Sequence, residues 1–237
     1  MAIGEIKALI FDVFGTVVDY RSTIMHEGEQ LSQQKGLTVD WDEFSYAWRS
    51  RYQPILERVE RHELPWTKLD TLHRMALDEV LAEFQVTGLT EDEKVHLNRV
   101  WHRLQPWPDS VAGLTRLRQK FVLATLSNGN VSLLTNMAKY SGLPWDCILS
   151  AELVRAYKPN PAVYQMASEL LDLPAQQIML VAAHPYDLEA AHAQGMRTTL
   201  VPRPLESGPK HPINYPANPD FDFVASDMLD LARQLGT

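Results

Sequence analysis

An aspartate, a Ser-Asn pair, a lysine and a histidine stand in this sequence at places where catalysis can be built. Asp12 closes the apolar run Ala8–Phe11 and opens the stretch Asp12-Val13-Phe14-Gly15-Thr16. Ser127-Asn128 closes Phe121–Leu126, and His184 closes Ile178–Ala183 with Asp187 shortly after it. Lys158 lies in Val154-Arg-Ala-Tyr-Lys158-Pro-Asn-Pro161, between a tyrosine and two prolines at an expected helix start. A carboxylate can serve as nucleophile, a lysine can keep it ionised, and a histidine with an ordinary pKa of about 6.5 can take a proton from water. Each residue also has a plain structural use. Asp12 and Ser127-Asn128 suit turns, Asp187 a helix cap, Lys158 a solvated surface, Thr16 a loop bond, and His184 a hydrogen-bonded buried ring. The elements that carry these residues decide between the two uses.

Short apolar runs ending in polar residues suit strands buried on both faces, as in parallel sheets. Four such runs are present: Ala8–Phe11, Phe121–Leu126, Ile178–Ala183 and Thr198–Val201. Helical patterns separate the later ones, over Val111–Gln119, Val131–Tyr140, Ala162–Leu171 and Leu188–Gln194, with Gly142 and Gly195 where C-caps would fall. Strand and helix alternate, which predicts an α/β core with a parallel sheet and helices on both faces. Ligands of such sheets bind outside the carboxyl ends of the strands, so Asp12, Ser127, Asn128 and His184 should meet in one crevice.

The interval from Arg21 to Arg103 breaks that alternation. Its apolar periodicity is helical, over Ile24–Gln34, Trp41–Arg58, Leu69–Phe84 and Glu91–Leu104. This predicts an inserted helical cap domain over 20–104, with the core formed by 1–19 and 105–237. The cap aromatics Trp41, Trp48, Tyr52 and Trp66 at helical spacing read as packing, with one or two lining the pocket. Glu206–Pro219, rich in Pro and Gly, reads as a long surface loop before a last strand at Phe221–Ala225 and a helix at Asp227–Leu235.

The bulk properties narrow the partners. The chain has 237 residues, 45% of them apolar, enough for one or two domains with a core. A net charge of −8 argues against nucleic acid or an anionic membrane, both of which need a basic surface. The single cysteine, Cys147, forms no intramolecular disulfide and suits a reducing cytoplasm. The N-terminus has no small-residue cleavage site and reads as a first strand. No stretch approaches the roughly 18 apolar residues of a membrane span.

Taken in order, Asp12-Val-Phe-Gly-Thr16, Ser127-Asn128, Lys158-Pro159 and Asp187 resemble the four motifs of the haloacid dehalogenase superfamily, over nearly the whole chain and including the cap after the first motif. The resemblance implies a Rossmann-like core and Asp12 as nucleophile. Phosphatases of that superfamily carry a second aspartate where Phe14 stands, to protonate the leaving alcohol, and an acidic residue where Ala183 stands, to help hold magnesium. Halide leaves as a stable anion and needs no proton. The departures therefore resemble the (S)-2-haloacid dehalogenase branch, which has an aromatic residue at the Phe14 position and uses no metal or other cofactor. In that branch the halide-binding arginine falls on Arg49, the substrate-carboxylate and halide contacts on Ser127 and Asn128, the essential lysine on Lys158 and a further tyrosine on Tyr164. The amides of Val13 and Phe14 match its carboxylate cradle. The expected partner is a small anionic 2-haloacid, with no nucleic acid and no membrane, and the branch admits a homodimer.

The implied reaction has two steps. Asp12 attacks C2 of the haloacid to give an ester and halide, and water then attacks the ester carbonyl to release a 2-hydroxy acid. The branch often has Ser-Asn where Ala183-His184 stands, so the base of the second step is open: His184 oriented by Asp187, or Asp187 itself, with Asp19 as another partner for His184. Two other functions use the same fold, a small-molecule phosphatase or phosphonatase and a catalytically silent binding protein. Phe14 and Ala183 speak against the first. Asp12 and Lys158, both present, speak against the second.

Overall fold

The structure is a computed structural model that describes residues 5–216 and 220–237. In chain order its elements are β1 (Ala8–Phe11), β2 (Val18–Asp19), α1 (Tyr20–Lys35), α2 (Trp41–Ser50), α3 (Tyr52–Glu60), α4 (Leu69–Glu83) and α5 (Glu91–Asn98). A 3-10 turn over Arg99–Arg103 leads to β3 (Gln105–Pro106), α6 (Ser110–Leu117), β4 (Val122–Ser127), α7 (Val131–Ser141), β5 (Cys147–Ser150) and α8 (Pro161–Leu171). The chain finishes with β6 (Ile178–Ala182), α9 (Pro185–Ala193), β7 (Arg197–Leu200), β8 (Phe223–Val224) and α10 (Met228–Gln234).

Because β1 and β6 are apolar and buried along their whole length, they sit in the middle of the sheet. The six strands run in the order β5-β4-β1-β6-β7-β8 with every pairing parallel. From β1 the chain first builds outward through β4 and β5, then returns to the other side through β6, β7 and β8. The order thus reverses at β1, the position where such sheets open a ligand crevice. Phe11 is level with Thr125 on β4 and Val181 on β6, so Asp12 emerges between the ends of its two neighbours. The fold is the expected α/β one, with helices on both faces and a helical cap inserted after the first strand.

Several boundaries differ from the sequence reading. β5 has no counterpart in it, because Cys147–Ser150 is a short, half-buried edge strand. The single helix expected over Trp41–Arg58 is two helices, α2 and α3, which meet at Arg51. The expected helix Glu91–Leu104 tightens into the 3-10 turn at Arg99, and the last strand is only Phe223–Val224. Of the expected surface loop, 217–219 lie outside the described residues. Within the rest it is a surface loop, as expected, and an ordered one, with Glu206 and Gly208 buried.

The cap and core are joined at both chain crossings by one small antiparallel ribbon, β2 with β3. Above it the cap helices enclose Trp48, His73 and Trp101, and Phe14 of the core stands edge-on to Trp101 at 5.7 Å between ring centres. Trp41 and Trp48 are core residues of the cap, as their spacing predicts. A second tie joins Asp70 on α4 to Asn130 at the start of α7, with the amide of each partner donating to the other.

Candidate active site

Asp12 is held at the tip of β1 by its own backbone, whose N–H donates to Val181 O. The chain then doubles back: Val17 and Val18 N–H both donate to Val13 O, and Gly15 N–H to Val18 O. Gly15 has φ +78, and a Cβ there would lie 2.1 Å from a Glu206 carboxylate oxygen, so this turn requires glycine twice over. The N–H groups of Val13 and Phe14 donate to no protein acceptor among the described residues and remain as a pair of donors next to Asp12.

The Asp12 carboxylate is nearly enclosed, with 8% of the residue exposed. Its Oδ1 accepts from Lys158 Nζ at 3.1 Å, and its Oδ2 accepts from Thr16 Oγ1 at 2.7 Å and from His184 Nδ1 at 2.9 Å. Burial alone would push its pKa up. Lys158 and the bonds from His184 and Thr16 outweigh that and hold it well below the usual carboxylate range. Thr16 also accepts from Ala183 N–H at 2.9 Å, which ties the β1 loop to the end of β6.

Lys158 is positioned by its backbone N–H, which donates to Asn128 Oδ1 at 2.8 Å. Its ammonium spans Asp12 and Asp187, and Asp187 accepts in addition from Tyr164 Oη at 2.6 Å. Burial works against the charged lysine, but the two carboxylates raise its pKa well above the usual value. Burial pushes the Asp187 carboxyl up more than Lys158 pulls it down. Asp187 and Tyr164 thus bear on Lys158, not on His184, which corrects the expected His184–Asp187 pair. Asp19 is no partner of His184 either; its carboxylate caps α1 through Ser22 N–H. A divalent cation does not fit this site, since the lysine ammonium already lies between the two carboxylates and Phe14 and Ala183 offer no carboxylate.

The partner of His184 is Glu206, whose two oxygens lie 3.2 and 3.0 Å from Nε2. Burial would lower the His184 pKa, yet Glu206 and Asp12 push it up to about 10. Glu206 escaped the sequence reading because a buried carboxylate in an aperiodic loop leaves no pattern. Its loop is anchored by Arg203, which pairs bidentately with Asp109 at 2.9 and 2.7 Å and donates to Thr16 O. Further along, the loop reaches the cap. Ser207 meets Tyr20 Oη, Lys210 lies 3.1 Å from Glu43, and His211 stacks on Tyr46 with centroids 3.6 Å apart.

From the cap, Arg49 lies with its guanidinium 4.2 Å from the centre of the Tyr52 ring and 5.4 Å from that of Tyr20. Its sole ion pair among the described residues is a loose 4.0 Å approach to Glu206, which leaves donors for an incoming anion. Tyr52 Oη accepts from Asn128 Nδ2 at 2.8 Å, so this cap aromatic joins the site. Ser127 is fully buried at the end of β4, its Oγ accepting from Gly129 N–H. A cleft of about 530 Å³ leads in from solvent between Arg49, Tyr52 and Gln53 of the cap and Pro159, His184 and Tyr186 of the core. Tyr186, between His184 and Asp187 at the first turn of α9, was also not singled out from sequence.

The pattern of haloacid dehalogenase-like hydrolases matches residues 6–195. The (S)-2-haloacid dehalogenase 1 of Pseudomonas sp. strain CBS-3 is 30% identical over 204 residues, which cover 84% of this chain and 85% of that protein. The crystal structure of an L-2-haloacid dehalogenase shares 45% identity with a TM-score of 0.91, covering 97% of this chain and 99% of that one. That of a defluorinating L-2-haloacid dehalogenase shares 42% with a TM-score of 0.93, covering 98% and 96%. The chain belongs to the haloacid dehalogenase-like hydrolases, in their (S)-2-haloacid dehalogenase branch. Among the described residues no helix is long and apolar enough to cross a membrane.

Proposed function

We propose that the protein hydrolyses small 2-haloalkanoic acids to 2-hydroxy acids and halide through an ester on Asp12. The observation that carries this reading is a buried carboxylate kept ionised by Lys158, with Phe14 in place of a proton donor for the leaving group. The substrate carboxylate is received by the N–H groups of Val13 and Phe14 with Ser127, at the tips of β1 and β4. The halogen points toward Arg49 and Asn128, whose N–H donors take the halide as it forms. Asp12 then attacks C2 from the opposite side; orientation in a site shielded from water supplies much of the rate. Lys158 offsets the charge brought in by the substrate, with Asp187 and Tyr164 holding it. In the second step His184, steadied by Glu206, takes a proton from the water that attacks the Asp12 ester carbonyl.

On this reading 20–104 acts as a cap that supplies Arg49 and Tyr52 to a core made of 1–19 and 105–237. The negative net charge argues against nucleic acid, and a small anionic substrate is met by the basic side chains Arg49 and Lys158 in the site. The lone cysteine supports a cytoplasmic location, and the family resemblance admits a homodimer. The test is halide release from (S)-2-chloropropionate with EDTA present. The wild type is expected to release chloride and 2-hydroxy acid in equal amounts, and Asp12→Asn to release none. Sustained release by Asp12→Asn would remove Asp12 as nucleophile, and release of phosphate from a phosphate ester in place of halide would favour the phosphatase alternative.

A further inference from the structure

Each ring nitrogen of His184 faces a carboxylate. Nδ1 lies 2.9 Å from Asp12 Oδ2, and Nε2 lies 3.2 and 3.0 Å from the two oxygens of Glu206. Where both carboxylates are ionised they only accept hydrogen bonds, and both nitrogens then carry hydrogens, which makes the ring an imidazolium. Its other charged and titratable surroundings stand one shell away. Lys158 lies beyond Asp12 and Asp187 beyond Lys158, Arg49 of α2 lies beyond Glu206, and the Tyr186 ring of α9 is 5.7 Å from the imidazole. An imidazolium cannot take a proton from water. The resting site is therefore armed for the first step and unable to perform the second.

We propose that Glu206 is a positioning residue that keeps His184 doubly protonated while Asp12 is a free carboxylate, and that alkylation of Asp12 is itself the event that turns His184 into the base. The inference rests on the dehalogenase reading and adds an order of proton movements to it. In the first step an Asp12 oxygen forms a bond to C2, and the carbon–halogen pair of electrons leaves with the halide. Asp12 is then a neutral ester, and Nδ1–H loses its anionic acceptor while Lys158 and Arg49 keep their charges. The Nδ1 proton passes to solvent through the cleft, and Glu206 retains the hydrogen on Nε2. Water then attacks the ester carbonyl and gives one proton to Nδ1. As the carbonyl–oxygen bond to the product breaks, the departing alkoxide takes the remaining proton of that water. Asp12 is again a carboxylate and His184 an imidazolium. The one proton generated by the overall hydrolysis is released in the first step, before the 2-hydroxy acid is free. The high His184 pKa, pushed up to about 10 by Glu206 and Asp12, agrees with the resting state.

Asp12→Asn places a neutral amide where the ester would be, without requiring turnover. The His184 ring is followed by NMR titration of histidine-labelled protein, its signal among the eight histidines assigned by its absence in His184→Asn. The expected result is an imidazolium through pH 8 in the wild type and a proton affinity lower by about tenfold or more in Asp12→Asn. Glu206→Gln should also lower it, with Asp12 intact, and carries the titration test if Asp12→Asn does not fold. In turnover, Glu206→Gln is expected to keep a burst of one halide per site while steady hydrolysis falls by about tenfold or more. His184 staying protonated at pH 8 in Asp12→Asn, or a neutral His184 in the resting wild type, would overturn the proposal. Failure of the wild type to release halide would instead overturn the dehalogenase reading and leave the titration result standing by itself.

Discussion

Replacing Lys158 by Met removes the ammonium that spans Asp12 and Asp187 while keeping an apolar stem of similar length to fill the space. For unit charges at the observed 3.1 Å to Asp12, Coulomb's law with an effective dielectric of about 20 gives an attraction of about 5 kcal/mol. Removing one member of a buried pair in proteins costs about 3–5 kcal/mol, because the other charge is left without its partner. The two carboxylates would then relieve their repulsion by taking up a proton, and a protonated Asp12 is no nucleophile. Converted at about 1.4 kcal/mol per tenfold, the loss predicts halide release slower by about 10²- to 10⁴-fold at pH 7. Since the deficit arises by protonation, the residual activity of Lys158→Met should climb as pH rises, over a range where wild-type halide release is flat. The assay is initial chloride release from (S)-2-chloropropionate between pH 6 and pH 9, beside a urea titration to confirm folding. A folded Lys158→Met within tenfold of wild type at pH 7, or one with the wild-type pH profile, would refute the reasoning.

Two further variants test the frame that holds the site. A Cβ on Gly113 of α6 would lie 2.5 Å from Met228 Cβ and 2.6 Å from its backbone carbonyl carbon on α10. Gly113→Ala should therefore destabilise by about 1–3 kcal/mol through overpacking, seen as a lower urea midpoint with unchanged slope and unchanged activity below the transition; an unshifted midpoint would contradict the close contact. At Asp109 burial opposes ionisation, but Arg203 and the Met228 N–H hold its pKa below the usual range. A pKa lower in the folded than in the unfolded state gives stability that is present above the unfolded value, about 3.9, and is lost as pH falls through the folded one. Asp109→Asn should then be less stable than wild type at pH 7, with the gap closing below about pH 4; a gap that is constant with pH would exclude this source of stability.

The central strands were legible because burial on both faces leaves uninterrupted apolar runs, and their polar ends marked the crevice. Asp12, Lys158 and His184 stood out for that reason, and the structure brings their side chains within hydrogen-bonding distance of one another or of a shared carboxylate. The edge strand β5 was not legible, since one neighbour and partial burial impose little on four residues. The break at Arg51 was hidden because apolar spacing continues across it, although Pro54, in the first turn of α3, is a sequence signal for a helix start there; the Arg51 side chain itself bonds back to Ala47 O. Glu206 was illegible in principle. Its place is set by Arg203 gripping Asp109 far back in the chain, a contact with no local periodicity. For the same reason the sequence suggests Asp187, three residues on, as the partner of His184, while in space that carboxylate meets Lys158.

The loop carrying Glu206 is fastened unequally at its two ends. Toward the core it is held by the enclosed Arg203–Asp109 fork, and toward the cap by Lys210 and His211 on solvent-facing acids, contacts that water and salt screen. The enclosed fork makes this loop part of the core in the first place, with the cap contacts secondary. His184 and Glu206 both sit on the core side of this loop, whereas Arg49 belongs to α2. In the proposed reaction, halide capture and ester cleavage are in this sense mounted on different pieces of the molecule.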